Sequence, residues 1–190
     1  MGVLGSVHAV RAVCELKRQW PGAPLVLDPV LASGRGDAFG DTHLWAAMRD
    51  ELLPLVDLLT PNWPEAQAMT LCDEVDGSAA RLLAMGCGAV LLKGEHQPGD
   101  VVVNRLYMTG QSAQAFPCER LPGQYHGSGC TLASACAAAL AQGMPMADAV
   151  ALALEFTWQS LQNGFAIGRG QWIPDRLHLM QHLSDDEEAV

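Results

Sequence analysis

Charge is scarce in this chain, and basic charge scarcer still. Only 17% of its 190 residues are charged, and 11 Lys and Arg stand against 21 Asp and Glu, a formal net charge of −10. With no basic cluster along the chain, a nucleic-acid interface is excluded as its business. No run of 18 apolar residues occurs, so no membrane-spanning helix is expected. The first residues lack the basic-then-apolar layout of a secretory leader. Six cysteines, Cys14, Cys72, Cys87, Cys118, Cys130 and Cys136, form no Cys-x-x-Cys pair, and the histidines show no zinc spacing. Isolated thiols of this kind point to a reducing cytoplasm, with most of them ordinary packing residues. Neither an internal repeat nor a low-complexity linker is present. What remains is a chain that is 49% hydrophobic, enough for one globular domain over residues 1–190. The acidic tail at 185–188 reads as a solvated end.

Periodicity supplies the elements. Val7, Val10 and Cys14 share a helical face within 7–19, and Pro21-Gly22 ends that segment. Leu25-Val26-Leu27 is a continuous apolar run that stops at Asp28-Pro29, as a buried parallel strand does. A helix is expected over 42–53 and a second buried strand over 55–60. Asn62 is a natural N-cap for the next helix, and another follows over 78–85. Ala89-Val90-Leu91-Leu92 forms a third buried strand, with Lys93 and Gly94 at its end. Residues 101–103 and 113–118 read as a hairpin around Thr109-Gly110. Helices over about 131–142 and 146–163 complete the chain. Strands alternating with helices define an α/β domain with a mainly parallel sheet flanked by helices. Ligands in such folds bind beyond the carboxyl ends of the strands. Asp28, Asn62, Lys93 and the loop at Gly127 all fall there.

That loop carries the strongest chemical signal. In His126-Gly127-Ser128-Gly129-Cys130-Thr131 two glycines precede an Ala-rich helix. Glycine lets backbone amides approach a ligand closely, and a helix N-terminus adds unpaired donors and partial positive charge. The combination suits the charge of a phosphoryl group in transit, and the same field favours a thiolate on Cys130. Taken alone, Gly-x-Gly before a helix is a common turn and a helical cysteine is common packing. Lys93 has its own bland explanation as a strand-end lysine, and Asp28, Asn62 and Glu65 theirs as caps. Together they offer what phosphoryl transfer requires: a cation for polyphosphate, carboxylates for hydrated Mg²⁺, an anion hole and a base.

At this point the chain resembles a known family. Leu4-Gly5-Ser6, Val26-Leu27-Asp28-Pro29-Val30, Ser33-Gly34-Arg35-Gly36-Asp37, Thr60-Pro61-Asn62-Trp63-Pro64-Glu65-Ala66, Leu91-Leu92-Lys93-Gly94 and His126-Gly127-Ser128-Gly129-Cys130-Thr131-Leu132 occur in order. They are similar to motifs of the hydroxymethylpyrimidine/phosphomethylpyrimidine kinases of thiamine biosynthesis, within the ribokinase-like superfamily. Ser128 stands where Thr is usual. Cys130 stands where many ribokinase-like enzymes have Asp, which points to the pyrimidine-kinase branch.

The resemblance implies an ATP- and Mg²⁺-dependent kinase acting on 4-amino-5-hydroxymethyl-2-methylpyrimidine and then on its monophosphate. It implies Cys130 as the base, with Gly127, Ser128, Gly129 and Lys93 stabilising the moving phosphoryl group. Lys93, Ser128, Asn62 and Gly168 would hold the nucleotide, Asp28 and Glu65 the metal, and Val30 and Cys130 the substrate. A homodimer is expected. Pyridoxal kinase is an alternative, because related folds phosphorylate similar hydroxymethyl rings; a non-catalytic nucleotide-binding remnant is another. The resemblance departs at the start: family members begin with a Gly-rich segment and further strands before the position matching Met1. The chain is therefore expected to lack N-terminal strands, and to be less stable than a longer relative or to self-associate. The segment 168–174 is also longer than the family's usual ending and carries Trp172.

Overall fold

The computed structural model describes residues 1–30 and 42–180. The motif at 33–37 and the acidic tail at 185–188 lie outside the described residues.

Helix α1 spans Val7–Gln19. Its N-cap Ser6 accepts a hydrogen bond from the Ala9 amide, and Lys17 and Arg18 sit in its last turn, complementing the helix dipole. Strand β1 is Val26–Leu27, followed by α2, Thr42–Ala47. Then come β2, Leu58–Leu59; α3, Trp63–Thr70; α4, Val75–Ala84; and β3, Ala89–Leu92. The hairpin is β4, Val101–Met108, and β5, Gln114–Glu119. Helices α5, Ser128–Ala141, and α6, Met146–Gln162, close the chain.

The five strands lie in the order β1-β2-β3-β4-β5. Val26 pairs with Leu58 and Leu59 with Val90 in parallel register, whereas β3–β4 and β4–β5 are antiparallel. The α/β class expected from the sequence is the one found, as a mixed sheet: its parallel part is β1–β2–β3, and the hairpin supplies the antiparallel half.

Two-residue alternation explains why the parallel strands read as unbroken apolar runs. Leu27, Leu59, Val90 and Leu92 face one core, with Val10, Leu52, Ala66 and Leu82 from α1 to α4 and their connections. Val26, Leu58, Ala89 and Leu91 face the other, with Leu132, Cys136, Val150 and Ala153 from α5 and α6. Both faces are thus covered, and the polar residues that follow the strands emerge along one edge of the sheet.

Several boundaries differ from the sequence pattern, among them that of β4, which runs over Val101–Met108 and not 101–103. The helix expected over 42–53 widens after Ala47 into a π turn, Met48–Leu52, and then a 3-10 turn, Leu53–Leu55. Pro54 has no amide hydrogen to continue an α-helical ladder, and the same turn shortens the strand expected over 55–60 to Leu58–Leu59. α4 starts at Val75, three residues early, because Gly77 obscures a helical start. α5 starts at Ser128 and not near Thr131, so Ser128, Gly129 and Cys130 form its first turn.

Candidate active site

Three consecutive strand ends build the site. Asp28 follows β1, Asn62 follows β2 and Lys93 follows β3. The Lys93 amide donates to the Pro61 carbonyl at 2.9 Å, and Asn62 and Lys93 form an isolated parallel bridge. Lys93 Nζ donates to Asp28 Oδ1 at 2.9 Å, and the Thr60 hydroxyl donates to the same oxygen at 3.3 Å. Both members of this ion pair are buried, Asp28 at 3% exposure and Lys93 at 8%. Burial disfavours the Lys93 ammonium, but the carboxylates of Asp28, Glu95 and Glu65 outweigh it and hold its pKa above the ordinary lysine value.

Asn62 and Glu65 form a reciprocal capping box on α3. The Glu65 amide donates to Asn62 Oδ1 and the Asn62 amide to Glu65 Oε2, each at 2.8 Å. Burial pushes the Glu65 carboxyl upward, and Lys93 and the Asn62 amide only partly offset it.

The N-terminus of α5 closes over this pair. Gly127 is the N-cap in the left-handed region, at φ +86°, a conformation that costs an L-residue about 1–2 kcal/mol. Its carbonyl accepts from the Thr131 amide at 3.0 Å and from the Thr131 hydroxyl at 2.8 Å. Gly129 permits a close approach: a Cβ there would lie 3.2 Å from both Asp28 Oδ2 and Lys93 Nζ, near enough that these side-chain ends would have to shift slightly. The first turn of α5 therefore rests directly on the buried ion pair, and its dipole adds positive potential beside Lys93.

A cavity of about 270 Å³ opens from Lys93, Ser128 and Gly129. Its walls include Val102, Leu132 and Trp158, giving a largely apolar chamber that also carries Lys93, Glu95, Glu119 and Arg120. Cys130 is exposed and lines a separate groove between α5 and α6. The α5 N-terminus thus stands between the Lys93 chamber and the Cys130 groove.

Of the residues chosen from sequence, Asp28, Asn62, Glu65, Lys93, Ser128 and Gly129 are brought together, with Gly127 and Cys130 on the same helix start. Val30, half-buried, is two residues beyond Asp28, and its amide donates to the Asp28 carbonyl at 2.8 Å. Gly168 is not brought in: it sits in an exposed bend and lines neither the Lys93 chamber nor the Cys130 groove. Trp172 in the same segment packs edge-on against Tyr125, ring centroids 6.3 Å apart, and its carbonyl accepts from the His126 amide. It supports the loop that leads into Gly127. Sequence reasoning missed Thr60, Glu95 and Arg176. Thr60 was accessible to the strand-end rule that found Asp28; Arg176 reaches the site from beyond α6, with no local motif to mark it.

Mg²⁺ fits this donor set as a hydrated ion. Asp28 Oδ2 and Glu65 Oε1 have no protein hydrogen-bond partner among the described residues, and Mg²⁺ binds through few carboxylates while keeping several waters. No cluster of three or more His, Cys, Asp or Glu able to hold a metal occurs among the described residues, so an all-protein cage is not what this site provides. Among them also no helix is long and apolar enough to cross a membrane.

Fold and site together define a ribokinase-like α/β domain in which the N-terminus of α5 meets the ends of the parallel strands. The chain belongs to the phosphomethylpyrimidine kinase family, whose model matches residues 1–175. It is 38% identical over 177 residues to the hydroxymethylpyrimidine/phosphomethylpyrimidine kinase of Mycobacterium tuberculosis H37Rv, covering 89% of this chain and 64% of that protein. The fold is similar to Bacillus subtilis pyridoxal kinase in its ADP complex, with TM-score 0.81, 25% identity, and coverage of 93% of this chain and 67% of that one. It is also similar to a phosphomethylpyrimidine kinase from Clostridium difficile 630, with TM-score 0.69, 28% identity, and coverage of 83% and 65%. The chain spans 64% of the length of the first of these relatives.

Proposed function

We propose that this chain carries the phosphoryl-transfer site of an ATP-dependent kinase for 4-amino-5-hydroxymethyl-2-methylpyrimidine and its monophosphate. The observation that carries the reading is the buried Asp28–Lys93 pair packed under Gly129 at the start of α5, opening into the apolar chamber. The chamber takes the nucleotide, with its phosphates directed to Lys93 and the amides of Gly127, Ser128 and Gly129. These donors are fixed before substrate arrives, so they stabilise the charge spread over the transferring group without reorganising. Asp28 and Glu65 would hold Mg²⁺, which would neutralise phosphate charge when bound. Cys130, across the helix start, receives or orients the proton of the acceptor hydroxyl. Ser128 adds a hydroxyl donor, and Val30 packs against the acceptor ring. The enzyme works in the cytoplasm as a homodimer, a state that sedimentation equilibrium tests.

Pyridoxal phosphorylation is the second reading, favoured by the higher structural similarity to a pyridoxal kinase, TM-score 0.81 against 0.69. One assay separates the two: ATP-dependent turnover of the hydroxymethylpyrimidine, its monophosphate and pyridoxal, each followed as ADP release. Preference for the pyrimidines supports the first reading and preference for pyridoxal replaces it. With no turnover of any of the three and no ADP binding, the kinase reading fails.

A further inference from the structure

Arg176 has unspent bonding capacity in a place where an anion is expected. Its Nε donates to Thr131 Oγ1 at 3.0 Å, and Thr131 in turn donates to the Gly127 carbonyl. Its Nη2 lies 2.9 Å from where a Cβ on Gly127 would sit, so the guanidinium is laid against the N-cap of α5. No ion pair or hydrogen bond engages Nη1 or Nη2 among the described residues. An arginine anchored at Nε with both terminal nitrogens open is a fork held ready for a bidentate oxyanion.

The backbone that carries it is tied down. The Asp175 amide donates to the Ser160 carbonyl at 2.8 Å, and the Leu177 amide to Asp175 Oδ1 at 2.9 Å. His178 is buried, with Nδ1 2.8 Å from the Asp175 carbonyl, Nε2 3.3 Å from Gln159 Oε1, and its ring against Phe156. These contacts fix the turn to α6, so Arg176 approaches Gly127 from a rigid base and gives up little freedom on binding.

Position selects the ligand. Arg176 lines the groove that contains Cys130, not the chamber that contains Lys93. Among the described residues lining that groove the charged ones are Glu155 and Arg176, so Arg176 is the cation there. A phosphorylated acceptor brings about 1.5–2 negative charges to that side, beyond what an unphosphorylated alcohol brings. Resting on the kinase reading above, we propose that Arg176 binds the phosphate of a phosphomonoester acceptor on the Cys130 side of α5, and so sets the preference for a phosphorylated over an unphosphorylated substrate.

Calorimetric titration of the wild type, Arg176→Gln and Arg176→Lys tests this, with three probes: 4-amino-5-hydroxymethyl-2-methylpyrimidine, its phosphomonoester, and ADP. Arg176→Gln should weaken the phosphomonoester by about 10–100-fold, the worth of a charge-assisted hydrogen bond, and leave the alcohol and ADP unchanged. Arg176→Lys should recover part of the loss, keeping charge without the Nε anchor. Equal weakening of alcohol and phosphomonoester would show a structural role and overturn the proposal, as would an unchanged phosphomonoester affinity. If the wild type binds ADP but not the phosphomonoester, the Arg176 proposal falls and the nucleotide reading stands. If it binds neither, both fall.

Discussion

Replacing Asp28 by Asn keeps the shape of the side chain and removes the charge that Lys93 faces at 2.9 Å. Breaking a buried ion pair from one side commonly costs about 3–5 kcal/mol, because the surviving charge is left uncompensated. Here Glu65 and Glu95 still act on Lys93, so the loss should lie near the lower limit, about 3 kcal/mol. For a domain of this size that is a fall in Tm of about 6–12 °C. Lys93→Met should cost a similar amount, since among the described residues the Asp28 carboxylate would keep a weak Thr60 hydrogen bond at 3.3 Å and the attraction of the Met1 ammonium. The double variant removes both charges and should recover most of the loss, ending within about 1–2 kcal/mol of the wild type. Urea denaturation at pH 7 measures all three. Lys93 has a raised pKa, so the stability it contributes is complete below the unfolded lysine value of 10.5 and is lost as pH rises through the higher folded value. The coupling should therefore be flat from neutral pH to about 10 and decline only beyond it. Losses that add within about 0.5 kcal/mol would refute the account of the pair as mutually compensating.

Two other substitutions separate stability from function. Gly129→Ala places a methyl group 3.2 Å from both Asp28 Oδ2 and Lys93 Nζ. The gain of about 1 kcal/mol in helix propensity should offset the crowding, leaving stability within about 1 kcal/mol of wild type. Lifting the α5 N-terminus off the pair should nevertheless weaken ADP binding by about tenfold, one lost amide–phosphate contact; unchanged calorimetric affinity would sink this. Glu65→Gln retains an acceptor for the Asn62 amide and removes a carboxylate whose pKa burial has raised. Ionising that carboxylate opposes folding at pH above its folded pKa and has no effect below the unfolded value of 4.5. The variant should thus be more stable than wild type at pH 7, with the difference vanishing below pH 4.5, while half-maximal turnover needs more Mg²⁺. A stability difference independent of pH would count against it.

The parallel half of the fold was legible because burial on both sheet faces leaves continuous apolar strands such as Ala89–Leu92, and strand-end polar residues stand out against them. Asn62 was legible as a cap because capping is local: donor and acceptor lie three residues apart. The convergence of Asp28 and Lys93 was expected from topology, but their direct ion pair, 65 residues apart in sequence, was not. Nor was the role of Gly129, whose missing side chain matters only for what sits across from it. Pro54 reshaped the end of α2 through an absent hydrogen bond, an effect that apolar periodicity does not record. Gly168 was assigned by resemblance alone, in a segment where the chain departs from the family's usual length, and it stands apart from the chamber.

The central claim is that the start of α5 joins a nucleotide chamber to a cysteine that handles the acceptor hydroxyl. Cys130 is exposed, so Cys130→Ala should fold as the wild type does. The direct measurement is ATP-dependent phosphorylation of 4-amino-5-hydroxymethyl-2-methylpyrimidine by the two proteins, with ADP affinity measured on the same samples. Turnover should fall by about 10²–10⁴-fold, the range for loss of a general base, with ADP affinity unchanged. Turnover by Cys130→Ala at the wild-type rate would contradict the account.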